Sequence, residues 1–430
     1  MKFLQTGDWH LGKIFHETPL IHDQQSFLSQ ITTELTNARN GGDPYDALVV
    51  PGDIYDRAVP PSEAVTLLSS FLTETHNLFP DLHVFMLAGN HDSADRLSFA
   101  SQILAGDNIH ICTDAAHLTE AVVVGNGDGA AAVYQIPFLH PGEIRTKETE
   151  PAEADSSAGT DGQQDLFAGQ AQSQGEHILR TQQELVSEAA ARILEYHRSA
   201  YEGLPSVVCA HLFTNGGHVS DSERGSVGTA EQVDADIFSQ FTYTALGHLH
   251  GMQRAGKKSN IWYSGAPLAY SFDDSPETFM LSVRIKKDAV EVNKIPFVPI
   301  RAVVRLTGPF EKFYGNGADE QLISQHAENY VEIVCTDSSV PENPMALLRQ
   351  NFHAVLSFRK QDQEAGGSGA ATEDRRRVME SDSTDKPEKL FDMFIHDVYD
   401  GAVPSDDDFA DERKLFLKLA ENYSWSEDQA

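Results

Sequence analysis

Five short polar motifs, each directly after a run of apolar residues, constrain this chain more than any other feature. The apolar runs have the length of buried strands, and helical periodicity fills the gaps between them, as in 22–39, 62–79 and 178–200. In order, the motifs are Asp8-Trp9-His10, Gly52-Asp53-Ile54-Tyr55-Asp56-Arg57, Gly89-Asn90-His91-Asp92, Ala210-His211 and Gly247-His248-Leu249-His250. Open α/β sheets place ligand sites at the carboxyl ends of their strands, so we expect one cleft to gather all five.

The residue types in these motifs are those that bind a pair of divalent cations. Carboxylates, an amide oxygen and imidazoles, with no thiolate, suit hard or borderline ions. In an Asp-x-His or His-x-His pair after a strand, residues i and i+2 are expected to project to the same side. Two ions about 3.5–4 Å apart can activate a water and stabilise both oxygens of an in-line phosphoryl displacement. Five such motifs in order therefore indicate a two-metal site.

The charge of the chain argues at first against a nucleic-acid partner, because binding to phosphate needs a positive surface. The 430 residues carry a formal net charge of −33, while 40% hydrophobic and 23% charged residues exclude a wholly disordered or fibrous chain. About half of the acidic excess lies in 147–178 and after residue 360. Metal ions bound by carboxylates such as Asp8 and Asp53 would also reverse the local sign. The net charge therefore argues only against strong stand-alone binding to DNA.

Composition changes along the chain predict the domains. Residues 1–300 read as one α/β domain, interrupted at 147–178 by an acidic insertion rich in Gln, Gly and Ser that we expect to be disordered. Residues 301–360 alternate strands and helices and predict a small α+β domain. The stretch 361–387, with four residues Gly-Gly-Ser-Gly, reads as a flexible linker.

The ordered set of motifs resembles the calcineurin-like metallophosphoesterase superfamily. Further residues are similar to its SbcD family, the nuclease subunits of bacterial SbcC–SbcD complexes. These residues are Gly7-Asp8-Trp9-His10-Leu11-Gly12-Lys13, Val219-Ser220-Asp221-Ser222-Glu223-Arg224, Val227-Gly228, Tyr243-Thr244-Ala245-Leu246-Gly247-His248-Leu249-His250 and Tyr263-Ser264-Gly265-Ala266-Pro267-Leu268. The resemblance covers residues 1–300 well and 301–360 loosely. It implies a β-sandwich flanked by helices, followed by a small α+β capping domain.

The resemblance also implies a role for each motif residue. Asp53 would bridge two divalent ions, expected to be Mn²⁺. The ligands of one ion would be Asp8, His10 and His250, and those of the other Asn90, His211 and His248. His91 would bind no metal but would stabilise the transition state or protonate the leaving oxygen, since imidazole titrates near neutral pH. Asp56 and Arg57 have weaker expected roles, in ordering the Asp53 loop or touching a phosphate, and Asp92 would orient His91 or a metal ligand.

The resemblance implies a manganese-dependent DNA nuclease subunit with a partner. It would act as a 3′-to-5′ exonuclease on duplex ends and an endonuclease on single strands or hairpins, in DNA repair, recombination and replication. An SbcC-type, SMC-like ATPase would bind the tail segment 388–424, whose apolar residues predict amphipathic helices at 388–401 and 406–423. The family also implies a homodimer through helices near 62–79 and 98–104. Three scattered cysteines and the lack of a long apolar run favour the reducing cytoplasm and no membrane.

Two other classes of function remain open on the residues alone. The same metal centre serves phosphatases and phosphodiesterases that act on nucleotides or phosphoproteins, and a fold does not choose among them. A non-catalytic scaffold that binds DNA ends and an ATPase is the third possibility. The complete set of candidate ligands argues against it, because a pseudoenzyme is expected to lose some of them.

Overall fold

The computed structural model describes residues 1–147, 176–217, 232–286 and 289–361, together with Phe391 and residues 413–418. Its first compact unit comprises Met1–Ile333 and Val340–Phe358, and its second comprises Val334–Ser339 and Arg359–Ala430. Several predicted features lie wholly or mostly outside the described residues: the insertion at 147–178, the motif at 219–228, the linker at 361–387 and the tail helices within 388–424.

The helices and strands follow the alternating order expected from the sequence. The helices are α1 (Ile21–Asn40), α2 (Ser62–Leu78), α3 (Ala94–Leu97), α4 (Ser101–Ala105), α5 (Gln182–Ala200), α6 (Glu320–His326) and α7 (Pro344–Leu348). The strands are β1 (Lys2–Gln5), β2 (Ile14–Phe15), β3 (Thr18–Pro19), β4 (Ala47–Val50), β5 (His83–Leu87), β6 (Ile109–Cys112), β7 (Val122–Val124), β8 (Ala131–Ile136), β9 (Arg145–Lys147), β10 (Glu176–Ile178), β11 (Ser206–His211), β12 (Phe213–Thr214), β13 (Gln232–Val233), β14 (Tyr243–Gly247), β15 (Gln253–Arg254), β16 (Ile261–Tyr263), β17 (Phe279–Lys286), β18 (Ala289–Pro296), β19 (Val303–Gly308), β20 (Tyr330–Cys335) and β21 (Ala354–Lys360).

Two six-stranded mixed sheets form the centre of the first unit. Their strand orders are β18-β17-β1-β4-β5-β6 and β15-β16-β14-β11-β8-β7. Strands β1, β4, β5 and β6 run parallel, as do β8, β11, β14 and β16. Parallel strands are buried on both faces, which explains why they stand out in the sequence as short, continuous apolar runs.

Side chains on the two faces of each sheet pack against different layers. Between the sheets, Phe3 of β1 meets Tyr243 of β14 edge-on, with ring centroids 5.4 Å apart. On the opposite face of β1, Leu4 belongs to a core that includes residues of α1 and α2. Helix α5 contributes apolar residues such as Leu185 and Ile193 to the core outside the second sheet. The prediction of an α/β fold with helices flanking the sheets is confirmed.

Helix α5 begins later than the sequence pattern predicted. The expected helix at 178–200 begins at Gln182, because Thr181 and Glu184 form a capping box that satisfies the first free N–H groups. Residues 176–178 instead form β10, which pairs antiparallel with β9.

The three strands β19, β20 and β21 form a separate small sheet, in the order β19-β20-β21. With α6 and α7 they follow the predicted order of strand, helix, strand, helix and strand, with bounds shifted by a few residues. We refer to β19–β21 as the small sheet.

Of the predicted tail, the structure describes Phe391 and residues 413–418. Residues 413–418 are helical, and the ring of Phe416 lies 5.4 Å from that of Phe391. Within the described part of the chain, no helix combines the length and apolarity that crossing a bilayer requires.

Candidate metal centre

The ends of parallel strands from both sheets bring the five motifs together. Strands β1, β4 and β5 lead into the loops that carry Asp8, Asp53 and Asn90, while β11 ends at His211 and β14 ends just before His248. The loops are tied to each other as well as to the strands, since the backbone N–H of His248 donates a 2.7 Å hydrogen bond to Asp8 Oδ1.

Asn90, His211 and His248 direct donor atoms at one spot. The Oδ1 atom of Asn90 lies 3.0 Å from His211 Nε2 and 3.0 Å from His248 Nδ1, and these two nitrogens are 3.3 Å apart. The Nδ1–H of His211 donates to the carbonyl oxygen of Pro51 at 2.9 Å. This bond fixes the tautomer, so the lone pair of His211 Nε2 is available to a metal.

His10 and His250 converge on a second spot, and Asp53 lies between this spot and the first. The Nε2 atoms of His10 and His250 are 3.2 Å apart. One oxygen of Asp53, Oδ2, is 3.6 Å from His10 Nε2 and 3.5 Å from His211 Nε2. That oxygen is within reach of both groups, as a bridging ligand must be. Asp8 is fully buried beside them, with Oδ1 3.9 Å from His211 Nδ1.

Among the residues that the structure describes, two sets of three side chains have donor atoms close enough together to hold an ion. The sets are Asp53 with His211 and His248, and His10 with Asp56 and His91. The second set differs from the resemblance, which grouped His10 with Asp8 and His250. His10 can serve both arrangements, because its Nε2 faces His250 while its Nδ1 lies 3.6 Å from Asp56 Oδ1. Two such sets in one cleft are consistent with a dinuclear metal centre.

Several of the candidate ligands have left-handed backbone conformations. The φ angles are 53° at Asp8, 45° at His10, 50° at Asp53 and 110° at His248. The sequence pattern predicts that residues i and i+2 continue an extended strand and so point the same way. That prediction is wrong here, because the chain turns sharply at these residues. Positive φ is uncommon outside glycine, and such strain is concentrated at functional sites.

Two glycines are required by close approaches within the centre. A Cβ atom on Gly89 would overlap the carboxylate and backbone nitrogen of Asp53. A Cβ atom on Gly247 would overlap the carbonyl oxygen of Pro51. The glycines in the third and fifth motifs therefore allow the loops to pack against the second motif.

Burial keeps the histidines of the centre neutral. Burial lowers the pKa of both His248 and His250 to about 3, and it also lowers the pKa values of His10 and His211. Burial opposes the ionisation of Asp53, and a positive charge beside it, such as a protonated His211 or His10, is what outweighs burial and lowers the pKa of Asp53. Neutral imidazoles and an ionised carboxylate are the forms that bind metal ions.

The weaker candidates lie around these ligands. The Nδ1–H of His91 donates to the carbonyl oxygen of Asp56 at 3.0 Å. The carboxylate of Asp92 accepts three backbone N–H groups, from Ile54, Tyr55 and Gly89, and so joins the second motif to the third. The side chain of Arg57 is 62% exposed beside Asp56.

Four residues around the centre were not found from the sequence, because none falls in a ligand motif. Lys13 donates a 2.8 Å hydrogen bond to Asp56 Oδ1. Buried Gln24 donates to the carbonyl oxygen of His10 at 2.7 Å. The other two, Tyr270 and Asp274, follow the Tyr263–Leu268 motif by a few residues. The contacts of Tyr270 with Trp9 and His10 span more than 200 residues of sequence, which local patterns do not encode.

The donor set fits a pair of divalent ions. Asp8 and Asp53 are almost completely buried, and the side chains that face them are neutral imidazoles. Buried carboxylates without a cation are costly, and divalent ions would neutralise them. Oxygen and imidazole ligands without sulfur suit Mn²⁺-like ions and Zn²⁺ alike, so the set alone does not select one metal.

Residues 1–252 match the calcineurin-like phosphoesterase family, a range that contains all five motifs. The paired ligand groups at the strand ends and the helix-flanked mixed sheets thus define a metal-dependent phosphoesterase.

Relatives with known names narrow this class. A protein of Staphylococcus saprophyticus, named as the SbcD subunit of the nuclease SbcCD, is 30% identical over 366 residues, which cover 84% of this chain and 85% of that protein. The Escherichia coli K12 protein of the same name is 30% identical over 319 residues, or 71% of each chain. The chain belongs to the calcineurin-like phosphoesterases and, within them, to the SbcD family of SbcCD nuclease subunits.

Proposed function

We propose that this chain is the DNA nuclease subunit of an SbcC–SbcD-type complex and hydrolyses phosphodiester bonds at a two-metal centre. The observation that carries the proposal is the placing of Asp53 Oδ2 between two ligand groups, 3.6 Å from His10 Nε2 and 3.5 Å from His211 Nε2. A single carboxylate shared in this way suits two adjacent ions. The names of its relatives, which are nuclease subunits, support a nucleic acid as the substrate, and the family resemblance implies DNA.

The proposed ligand assignment is the one that the family resemblance implies, and the convergence of His10 with His250 and of Asn90 with His211 and His248 supports it. Asp8, His10 and His250 would hold one ion, expected to be Mn²⁺, and Asn90, His211 and His248 would hold the other. Asp53 would be shared by both. When bound, the ions supply a nucleophilic water and positive charge for the attacking and leaving oxygens.

His91 is proposed to act on the substrate rather than on a metal. Its Nδ1–H is engaged by the Asp56 carbonyl, so Nε2 is left to donate to or accept from a substrate oxygen. It can then stabilise the transition state or deliver a proton to the leaving oxygen. Asp56 accepts from Lys13 and faces His10 Nδ1, which suits a role in orienting His10. Exposed Arg57 is available to a phosphate group.

The proposed reactions are 3′-to-5′ exonuclease activity on duplex ends and endonuclease activity on single strands or hairpins, in DNA repair, recombination and replication. The domain 301–360 is proposed to cap the DNA next to the centre. Asp8 and Asp53 would bind the proposed ions, whose positive charge would offset these carboxylates, so the acidity of the chain does not oppose phosphate binding there.

An SbcC-type, SMC-like ATPase is the proposed partner. The names of the relatives describe a subunit of a complex, which supports a partner for this chain too. The tail within 388–424 is proposed to dock onto the ATPase through its Phe and Leu side chains, of which Leu415 and Phe416 are exposed. Deleting 388–430 should abolish co-purification with the ATPase, and an intact complex would refute this docking site.

A homodimer of the nuclease subunit is also proposed, through helices near 62–79 and 98–104. Large apolar side chains are exposed there: Val65 is 44% exposed, Phe99 83% and Ile103 75%. Apolar side chains grouped on a surface favour association.

The test of the proposed function is hydrolysis of DNA by the purified full-length chain, alone and with its ATPase partner. We expect Mn²⁺-dependent loss of duplex ends, abolished by chelation and strongly reduced in His91→Asn. No metal-dependent cleavage, even with the partner, would refute the nuclease. Faster release of phosphate from nucleotides or phosphopeptides than cleavage of DNA would point instead to a phosphatase.

A further inference from the structure

The small sheet is joined to helix α1 by a buried polar cluster. The hydroxyl of Tyr330, in β20, donates a 2.8 Å hydrogen bond to Asp23 Oδ2, and Arg301 Nη1 donates to the Tyr330 oxygen at 2.9 Å. Arg301 also lies 3.6 Å from the same Asp23 oxygen. Asp23 and Tyr330 are each only 2% exposed, so the bond between them is shielded from water and holds the sheet to α1, whereas the Arg301 side chain is 39% exposed.

The residue next to Asp23 holds the loop that carries His10. Gln24, fully buried, donates to the carbonyl oxygen of His10 at 2.7 Å and accepts from the backbone N–H of Gly12 at 2.9 Å. Asp23 and Gln24 are consecutive residues in the first turn of α1, so they move together. A displacement of the small sheet at Asp23 is therefore passed to the backbone of His10.

A second link, also through two consecutive residues, runs from the small sheet to the loop beside His250. Arg305, in β19, forms a 2.6 Å ion pair with Asp273 and is itself held by Glu332 in β20. The next residue, Asp274, accepts the backbone N–H groups of Tyr270 (2.8 Å) and Ser271 (3.0 Å). Its Oδ2 also lies 3.9 Å from His250 Nδ1. Asp273 thus contacts the small sheet, and the next residue, Asp274, contacts the surroundings of His250.

Tyr270 connects the two linked loops. Its hydroxyl donates to the carbonyl oxygen of Trp9 at 2.5 Å, and its ring lies edge-on to His10 at 5.3 Å and to His250 at 5.6 Å. By contrast, His211 donates a hydrogen bond to Pro51 and faces Asn90 Oδ1, both in the loops after β4 and β5. The small sheet is thus linked to His10 and His250 by two sets of contacts, while His211 and His248 are held by the loops that follow the central strands.

We propose that the small sheet positions one half of the metal centre: its contacts with Asp23 and Asp273 hold the loops of His10 and His250, and so set the affinity of the ion bound there. Tyr330 and Arg305 are positioning residues in this scheme, and the ion at His211 and His248 is independent of them. This inference rests on the proposed function for its two ions. It follows that a ligand or partner that displaces the small sheet would change the occupancy of one ion only.

The test is calorimetric titration of metal-free, full-length protein with Mn²⁺, comparing the parent with Tyr330→Phe, Arg305→Gln and the double variant. Loss of residues that orient metal ligands typically weakens binding by about 10- to 100-fold, and we expect about tenfold for one ion in the double variant. His250→Gln and His211→Gln identify which binding step belongs to which group. The magnetic coupling between paired Mn²⁺ ions, read by electron paramagnetic resonance, should weaken in parallel.

Matched controls come from the segments that connect the strands of the small sheet. Tyr314→Phe and Arg349→Gln remove the same chemical groups at positions away from these links, and both should leave the two affinities unchanged. Thermal melts show whether each variant is folded, and the conservative Tyr330→Phe keeps the ring in place if the double variant is unstable. Equal weakening of both ions, or of neither, in folded variants overturns the coupling. A parent that fails to bind two ions overturns the proposed function instead.

Discussion

The buried histidines of the metal centre predict how the stability of the metal-free protein depends on pH. Burial lowers the pKa of His248 and His250 to about 3, against an ordinary value of 6.5. Below pH 6.5 the unfolded chain therefore binds protons that the folded protein excludes, and folding becomes less favourable as the pH falls toward 3. Above pH 6.5 both states are neutral at these residues, and their contribution to the pH dependence vanishes.

The size of the effect follows from these two pKa values. At about pH 5.5, each histidine should cost about 1.4 kcal/mol of folding free energy relative to pH 7.5, or about 2.7 kcal/mol for the pair. Urea denaturation of chelator-treated protein at the two pH values measures the total loss. Because other groups also titrate, the informative quantity is the difference between parent and His250→Gln, which should lose about 1.4 kcal/mol less than the parent.

A control of opposite sign is available in His117. The hydrogen bond that this exposed imidazole donates to the carboxylate of Glu120 raises the pKa of His117, so its contribution stabilises the folded state as the pH falls. His117→Gln should make the loss at low pH slightly larger rather than smaller. Equal losses in the parent and in His250→Gln would show that His250 is protonated in the folded state, and would refute the argument from burial.

Three further substitutions test individual parts of the centre. Asp53→Asn should weaken both ions, because one oxygen serves both groups; elemental analysis after dialysis would then find fewer than two metals per chain. His91→Asn should keep both metals but slow hydrolysis by about 10²–10⁴-fold, and loss of metal in this variant would contradict its proposed role. Gly89→Ala should lower unfolding stability by about 1–3 kcal/mol and weaken metal binding, since its Cβ overlaps Asp53, whereas Gly41→Ala at the end of α1 should do neither.

The positions of the candidate ligands along the chain could be predicted because parallel strands are continuous apolar runs. Ala47–Val50 and His83–Leu87 indicate where each strand ends, and the polar motif that follows each run marks the same edge of the sheet. The division of ligands between two ions came from the family resemblance rather than from spacing. His248 and His250 are two residues apart, yet they point to different groups.

The surroundings of the ligands could not be predicted, because they depend on long-range packing. Tyr270 reaches the carbonyl oxygen of Trp9 across 261 positions of sequence, and Tyr330 reaches Asp23 across 307. Nothing local marks these tyrosines as different from other tyrosines of the chain. The predicted start of α5 was wrong for a different reason. The apolar periodicity extends before Thr181 to residue 178, but the capping interactions of Thr181 make the helix begin at Gln182.

The left-handed backbone at Asp8, His10, Asp53 and His248 affects how mutations of this centre should be interpreted. Asp, Asn and His tolerate positive φ better than most residues, so the ligand and the conformation favour the same side chains. Alanine at such a position removes a donor atom and adds backbone strain of about 1 kcal/mol or more. An alanine scan would thus confuse loss of a ligand with loss of the loop. Asparagine, which keeps the backbone preference, separates the two and is the better substitution for dissecting this centre.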